Sequence, residues 1–94
     1  MIYAVTYELR TKDKDYSAFY SFLDKEMGDS SMHVLRDSWW VFSERQLNLV
    51  EVREKIKQFL SEQDLFYVSE LPKDSINGWL VVTAWNWYKD YSVK

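Results

Sequence analysis

An α+β fold of the ferredoxin-like kind is predicted for these 94 residues, and three observations predict it. Four segments are rich in β-branched and aromatic residues, two others repeat apolar residues at helical spacing, and the order along the chain is strand, helix, strand, strand, helix, strand. Hydrophobic residues make up 47% of the chain and aromatics 18%, which is ample for one core, so residues 1–94 are expected to form a single domain.

The segment Ile2 to Leu9 alternates Tyr3, Val5, Tyr7 and Leu9 with Ile2, Ala4, Thr6 and Glu8, and predicts the first strand. A polar run from Arg10 follows, ending at Asp15, which is placed to cap a helix that begins at Tyr16. Tyr16, Phe19, Tyr20, Leu23 and Met27 form that helix's apolar stripe, and Gly28 stops it. Met32 to Arg36 and Ser38 to Ser43 predict two short strands joined as a hairpin. Asn48 followed by Glu51 approximates a capping box, and Leu49, Val52, Ile56, Phe59 and Leu60 form the second helical stripe, with Glu51 and Lys55 as an outer ion pair. Leu65 to Leu71 predicts the fourth strand, which Pro72 ends. The segment Trp79 to Tyr91 predicts a short, Trp-rich closing helix. With only two Gly and one Pro, the connections must rely on Asp, Asn and Ser.

Right-handed crossovers put both main helices on one face of a four-stranded antiparallel sheet. Yet the strands offer apolar side chains in both directions: Trp39 and Val41 against Trp40 and Phe42, Leu65 and Tyr67 against Phe66 and Val68. The second face must be covered by another copy or by the Trp-rich tail. A homodimer is therefore expected, through that face or through the strand-four edge with the tail.

The formal net charge of -3 gives no overall attraction to nucleic acid or anionic lipid. The absence of cysteine excludes a disulfide framework, a thiolate zinc site and a cysteine nucleophile. Glu8 comes before an apolar run long enough for a signal peptide or a membrane span has accumulated, so a cytoplasmic protein with no membrane partner is expected. No Gly-rich phosphate loop, haem motif or flavin motif is present.

Tyr3-Ala4-Val5-Thr6-Tyr7-Glu8-Leu9, Asp37-Ser38-Trp39-Trp40, Gly78-Trp79-Leu80 and Ala84-Trp85-Asn86-Trp87 together resemble the SinR-like family of small bacterial proteins. That family is related in fold to the small CRISPR-associated adaptation endonuclease and to VapD-type toxins. The resemblance implies a ferredoxin-like fold and a dimer. It also implies a metal-ligand position at the end of strand one, after an aromatic residue, where the nuclease relatives carry Asp. Glu8 occupies that position here, after Tyr7.

Glu8 is accordingly the candidate catalytic residue and metal ligand, and two copies of it at a dimer axis would suit Mg²⁺, which favours oxygen ligands. The alternative for Glu8 is a solvated strand end paired with Arg10. Arg10, Lys12 and Lys14, with Arg53 and Lys57, are the candidate nucleic-acid contacts, interleaved with Asp13, Asp15, Glu51 and Glu54. Trp79, Trp85 and Trp87 are candidates for a partner interface or for packing of the tail on its own core. His33 reads as an ordinary strand residue, and Ser17, Ser30 and Ser31 form no recognisable triad with it. The expected function is a non-catalytic or catalytically degenerate homodimer working through protein or nucleic-acid contacts. The alternatives are a metal-dependent DNA or RNA endonuclease, needing Mg²⁺ and no other cofactor, and a component of a toxin–antitoxin pair.

Overall fold

Tyr3, Val5 and Tyr7 point to one side of the first strand and Ile2 and Ala4 to the other, and all five are buried, so this strand lies at the centre of the molecule. The computed structural model describes residues Met1 to Lys94. In it β1 (Ile2–Glu8) is followed by α1 (Ser17–Ser21), β2 (Ser30–Leu35), β3 (Ser38–Phe42), α2 (Leu49–Lys57), β4 (Leu65–Leu71) and α3 (Val82–Ser92). The strands form one antiparallel sheet in the order β2-β3-β1-β4. The Cα radius of gyration is 13.1 Å, close to the roughly 12 Å of a compact domain of this length. No helix is long and apolar enough to cross a membrane.

The helix after β1 begins one residue later than the sequence predicts, at Ser17, whose N–H donates to the Asp15 carboxylate at 2.9 Å. Its second half, Phe22–Glu26, is π-helical, and the Met27 N–H reaches back to the Phe22 carbonyl at 2.9 Å. The wider turn lets Phe22, which falls off a straight α-helical stripe, become buried beside Leu23 and Met27 and pack against Phe59 at 5.4 Å between ring centroids. The helix ends just before Gly28, as expected, but the glycine is needed there for a second reason. A Cβ there would stand 2.5 Å from the Phe42 carbonyl oxygen and 2.7 Å from Val41 Cγ1, so the chain passes β3 too closely for any side chain.

The β2–β3 hairpin forms as predicted, with β2 starting earlier, at Ser30, and a register shift between His33 and Leu35. Asn48 caps α2, its Oδ1 accepting from the N–H groups of Val50 and Glu51 at 3.0 and 3.1 Å. The outer ion pair is not Glu51 with Lys55. Glu54 instead accepts from Arg53 at 3.0 Å and lies 3.6 Å from Lys57. Asp13 and Asp74 take left-handed φ values of 60°, doing in two turns what glycine would otherwise do.

Two cores result. Phe19, Phe22, Leu23 and Met27 from the first helical segment, and Val52 and Ile56 from α2, pack on Tyr3, Val5, Tyr7, Trp39 and Val41. On the opposite face Ala84 and Trp87 of α3 pack on Ile2, Ala4, Val34, Trp40 and Phe42, with Leu71, Ile76, Leu80, Tyr88 and Tyr91 around them. The Trp-rich tail therefore covers much of the face that two helices leave bare. Trp87 also donates its indole N–H to Ser30 Oγ at 2.9 Å, which ties α3 to the β2 edge.

Candidate functional site

Glu8 ends β1 opposite Leu65 of β4, with its side chain exposed and ion-paired to Arg10. It borders a surface depression of about 300 Å³ lined by Thr6, Tyr7, Leu65, Phe66 and Tyr67. No group of three or more His, Asp or Glu side chains comes together anywhere in the chain in a metal-holding arrangement.

The loop beyond Glu8 is held by a residue that sequence reasoning passed over. Asp64, one residue before β4, is buried, and its carboxylate accepts from the N–H groups of Arg10 at 2.7 Å, Thr11 at 3.2 Å and Ser61 at 2.9 Å. The hydroxyls of Tyr16 and Thr11 add bonds of 2.8 and 3.2 Å. Burial acts to raise its pKa, but the bonds from Ser61, Arg10, Tyr16 and Thr11 outweigh it and hold the group at about 2. The spacing Ser61-Glu62-Gln63-Asp64, a polar turn just before a strand, was the only sequence signal for it.

Tyr7, beside Glu8, is also fully engaged. Its hydroxyl accepts from Trp39 Nε1 at 3.1 Å and donates to the Arg36 carbonyl at 3.1 Å, and burial pushes its pKa well above the ordinary phenol value. His33 stacks on Trp39 at 4.6 Å and donates from Nε2 to the same carbonyl at 3.1 Å. These groups close the β2–β3 turn, and His33 behaves as the structural residue its sequence context predicts.

The basic candidates divide. Arg10 is matched by Glu8, and Arg53 and Lys57 share Glu54, whose pKa is lowered chiefly by the Arg53 bond and then by the Lys57 charge. Lys14 lies 5.8 Å over the Tyr16 ring, and neither Lys12 nor Lys14 has a carboxylate within ion-pair distance. Asp64 joins the loop of Arg10 and Thr11 to the turn that follows α2, and Lys57 borders the same surface depression as Asp64.

The three Trp candidates are equally unlike one another. Trp87 is core, Trp85 is half-buried edge-on to Tyr88 at 6.1 Å, and Trp79 is 99% exposed.

A further feature lies along β4. This strand is one edge of the sheet, and its backbone makes no hydrogen bond other than those to β1. Between it and α2 runs a groove of about 340 Å³ lined by Leu49, Val50, Phe66, Tyr67 and Val68, with Arg53 and Lys57 at its rim. Tyr67 is 61% exposed, Val50 56% and Leu65 50%. An edge strand beside an apolar groove is suited to receive another extended chain through main-chain bonds.

In comparisons with known proteins no family model, no curated protein and no solved structure matches this chain.

Proposed function

We propose that the chain is a ferredoxin-like member of the SinR-like group, related in fold to the small CRISPR-associated adaptation endonuclease and VapD-type toxins, and that it works in the cytoplasm as a homodimeric interaction module without catalysis of its own. The strand and helix succession, with β1 and β3 at the centre of the sheet, supports the ferredoxin-like part of this reading. The observation that carries the functional part is the contrast between Glu8 and β4. Glu8, the residue a metal mechanism would use, is spent on Arg10, whereas β4 keeps an unpaired backbone edge and exposed apolar side chains.

Glu is also one methylene longer than the Asp of the nuclease relatives. Its oxygens move by roughly one bond length, a misplacement that costs about a hundredfold where a hydroxide must be aimed at phosphorus. The test is to incubate the protein with single- and double-stranded DNA and RNA, with Mg²⁺ or Mn²⁺ and with chelator. No metal-dependent cleavage is expected. Cleavage that disappears in Glu8→Ala while the variant keeps its fold would replace this reading with the endonuclease.

A further inference from the structure

The two edges of the sheet are treated differently. The β2 edge is interrupted by a register shift, begins with Ser30 and Ser31, and is tied to α3. The β4 edge runs from Leu65 to Leu71 without a bulge, without Lys and without Pro, and five of its seven residues are apolar or aromatic. Charge, Pro and bulges are the usual devices that keep an edge from pairing, and β4 has none beyond Glu70 and the Pro72 that follows it.

We propose that two copies of the chain join β4 to β4, antiparallel, about a two-fold axis at Val68, with Glu70 of each copy seated between Arg53 and Lys57 of the other. This rests on the homodimer reading above and gives it a place and a register. A two-fold axis perpendicular to the sheet keeps each face continuous. Centred on Val68, it uses the whole strand: Leu65 faces Leu71, Phe66 faces Glu70 and Tyr67 faces Ser69. Every other centre shortens the ladder, and one at Glu70 would set two carboxylates opposite each other.

The charges then complement. Through β1, Glu70 is opposite Tyr3 and Phe66 is opposite Tyr7, so both project to the α1 and α2 side. Glu70 is exposed and has no ion pair in its own chain. Brought opposite Phe66 of the second copy, it enters the groove whose rim holds Arg53 and Lys57, two cations that share the single carboxylate of Glu54. On the other face the half-exposed Leu65 gains Leu71. A peptide of another protein would find the same ladder, but the acidic residue that fits the groove is already on this strand, at the position the symmetry requires. The same dimer holds the two Glu8 residues apart. With strands about 4.8 Å apart and a rise of about 3.4 Å per residue, they lie roughly 25 Å from each other, too far to share one metal ion.

The test is sedimentation equilibrium on the whole chain and on two variants, Glu70→Arg and the double variant Arg53→Glu with Lys57→Glu, each checked by circular dichroism melting. All of these side chains are exposed, so the fold should survive. The wild type is expected as a dimer, and each variant alone should raise the dimer dissociation constant at least about tenfold, because like charges then meet twice across the axis. An equimolar mixture of the two variants should return to the dimer mass, since both sites are then complementary. A variant that dimerises as the wild type does, or a mixture that stays monomeric, overturns the register while leaving the homodimer in place. A monomeric wild type overturns both.

Discussion

Five donors converge on the Asp64 carboxylate, from Arg10, Thr11 twice, Tyr16 and Ser61. Removing the acceptor would strip the partner from the Arg10 and Ser61 N–H groups and the Tyr16 and Thr11 hydroxyls, and leave the Thr11 N–H with only the Tyr16 hydroxyl, 3.2 Å away. Asp64→Ala is expected to cost about 2–4 kcal/mol in chemical denaturation, the range for breaking a buried charged network. The same residue sets an acid sensitivity. Its pKa falls from 3.8 to about 2 on folding, so its stabilising effect is complete above 3.8 and is lost as the pH drops through about 2. That gap corresponds to stability on the order of 2 kcal/mol. Urea midpoints measured from pH 5 down to pH 2 should fall more steeply in the wild type than in Asp64→Asn. Gly28 is the second sensitive residue. Gly28→Ala presses a methyl against the Phe42 carbonyl and Val41, and should destabilise by about 1–3 kcal/mol, read as a lower thermal midpoint.

At the scale of elements, α3 decides how the second sheet face is closed. Trp87 and Ala84 fill it while Trp79 stands in solvent, so substitutions at the two tryptophans should separate cleanly. Trp87→Ala is expected to cost about 3–5 kcal/mol and Trp79→Ala no more than about 0.5 kcal/mol, both measured by reversible denaturation. Deletion from Trp79 onwards should give insoluble or partly unfolded protein, because Ile2, Ala4, Trp40 and Phe42 lose their cover together. The elements that sequence periodicity identified best were those with unbroken patterns. The bounds of β4 and the Asn48 cap of α2 follow directly from Leu65 to Leu71 and from the polar residue before Leu49. The π-helical turn did not, because burying Phe22 depends on Phe59, more than thirty residues away in sequence. Gly28 likewise looks like an ordinary helix stop until β3 is laid beside it.

Across the whole molecule, the sequence made the double-faced sheet legible through Trp39 and Val41 against Trp40 and Phe42, and it named the tail as one of two covers. Which cover serves could not be read locally, since Trp79, Trp85 and Trp87 are alike in composition and unlike in burial. With α3 covering much of that face, the strand-four edge is where we propose that a second copy binds. Glu8 was legible as the strand-one carboxylate, and its pairing with Arg10 was one of two readings the spacing allowed. The Asp64 knot was hidden because its donors come from positions 10, 11, 16 and 61. If the open β4 edge pairs two copies as proposed, the solution mass of the unmodified chain should show it. At about 100 μM, a concentration high enough to reveal weak association, sedimentation equilibrium should give twice the 11.4 kDa chain mass. A mass of 11.4 kDa at that concentration would contradict it.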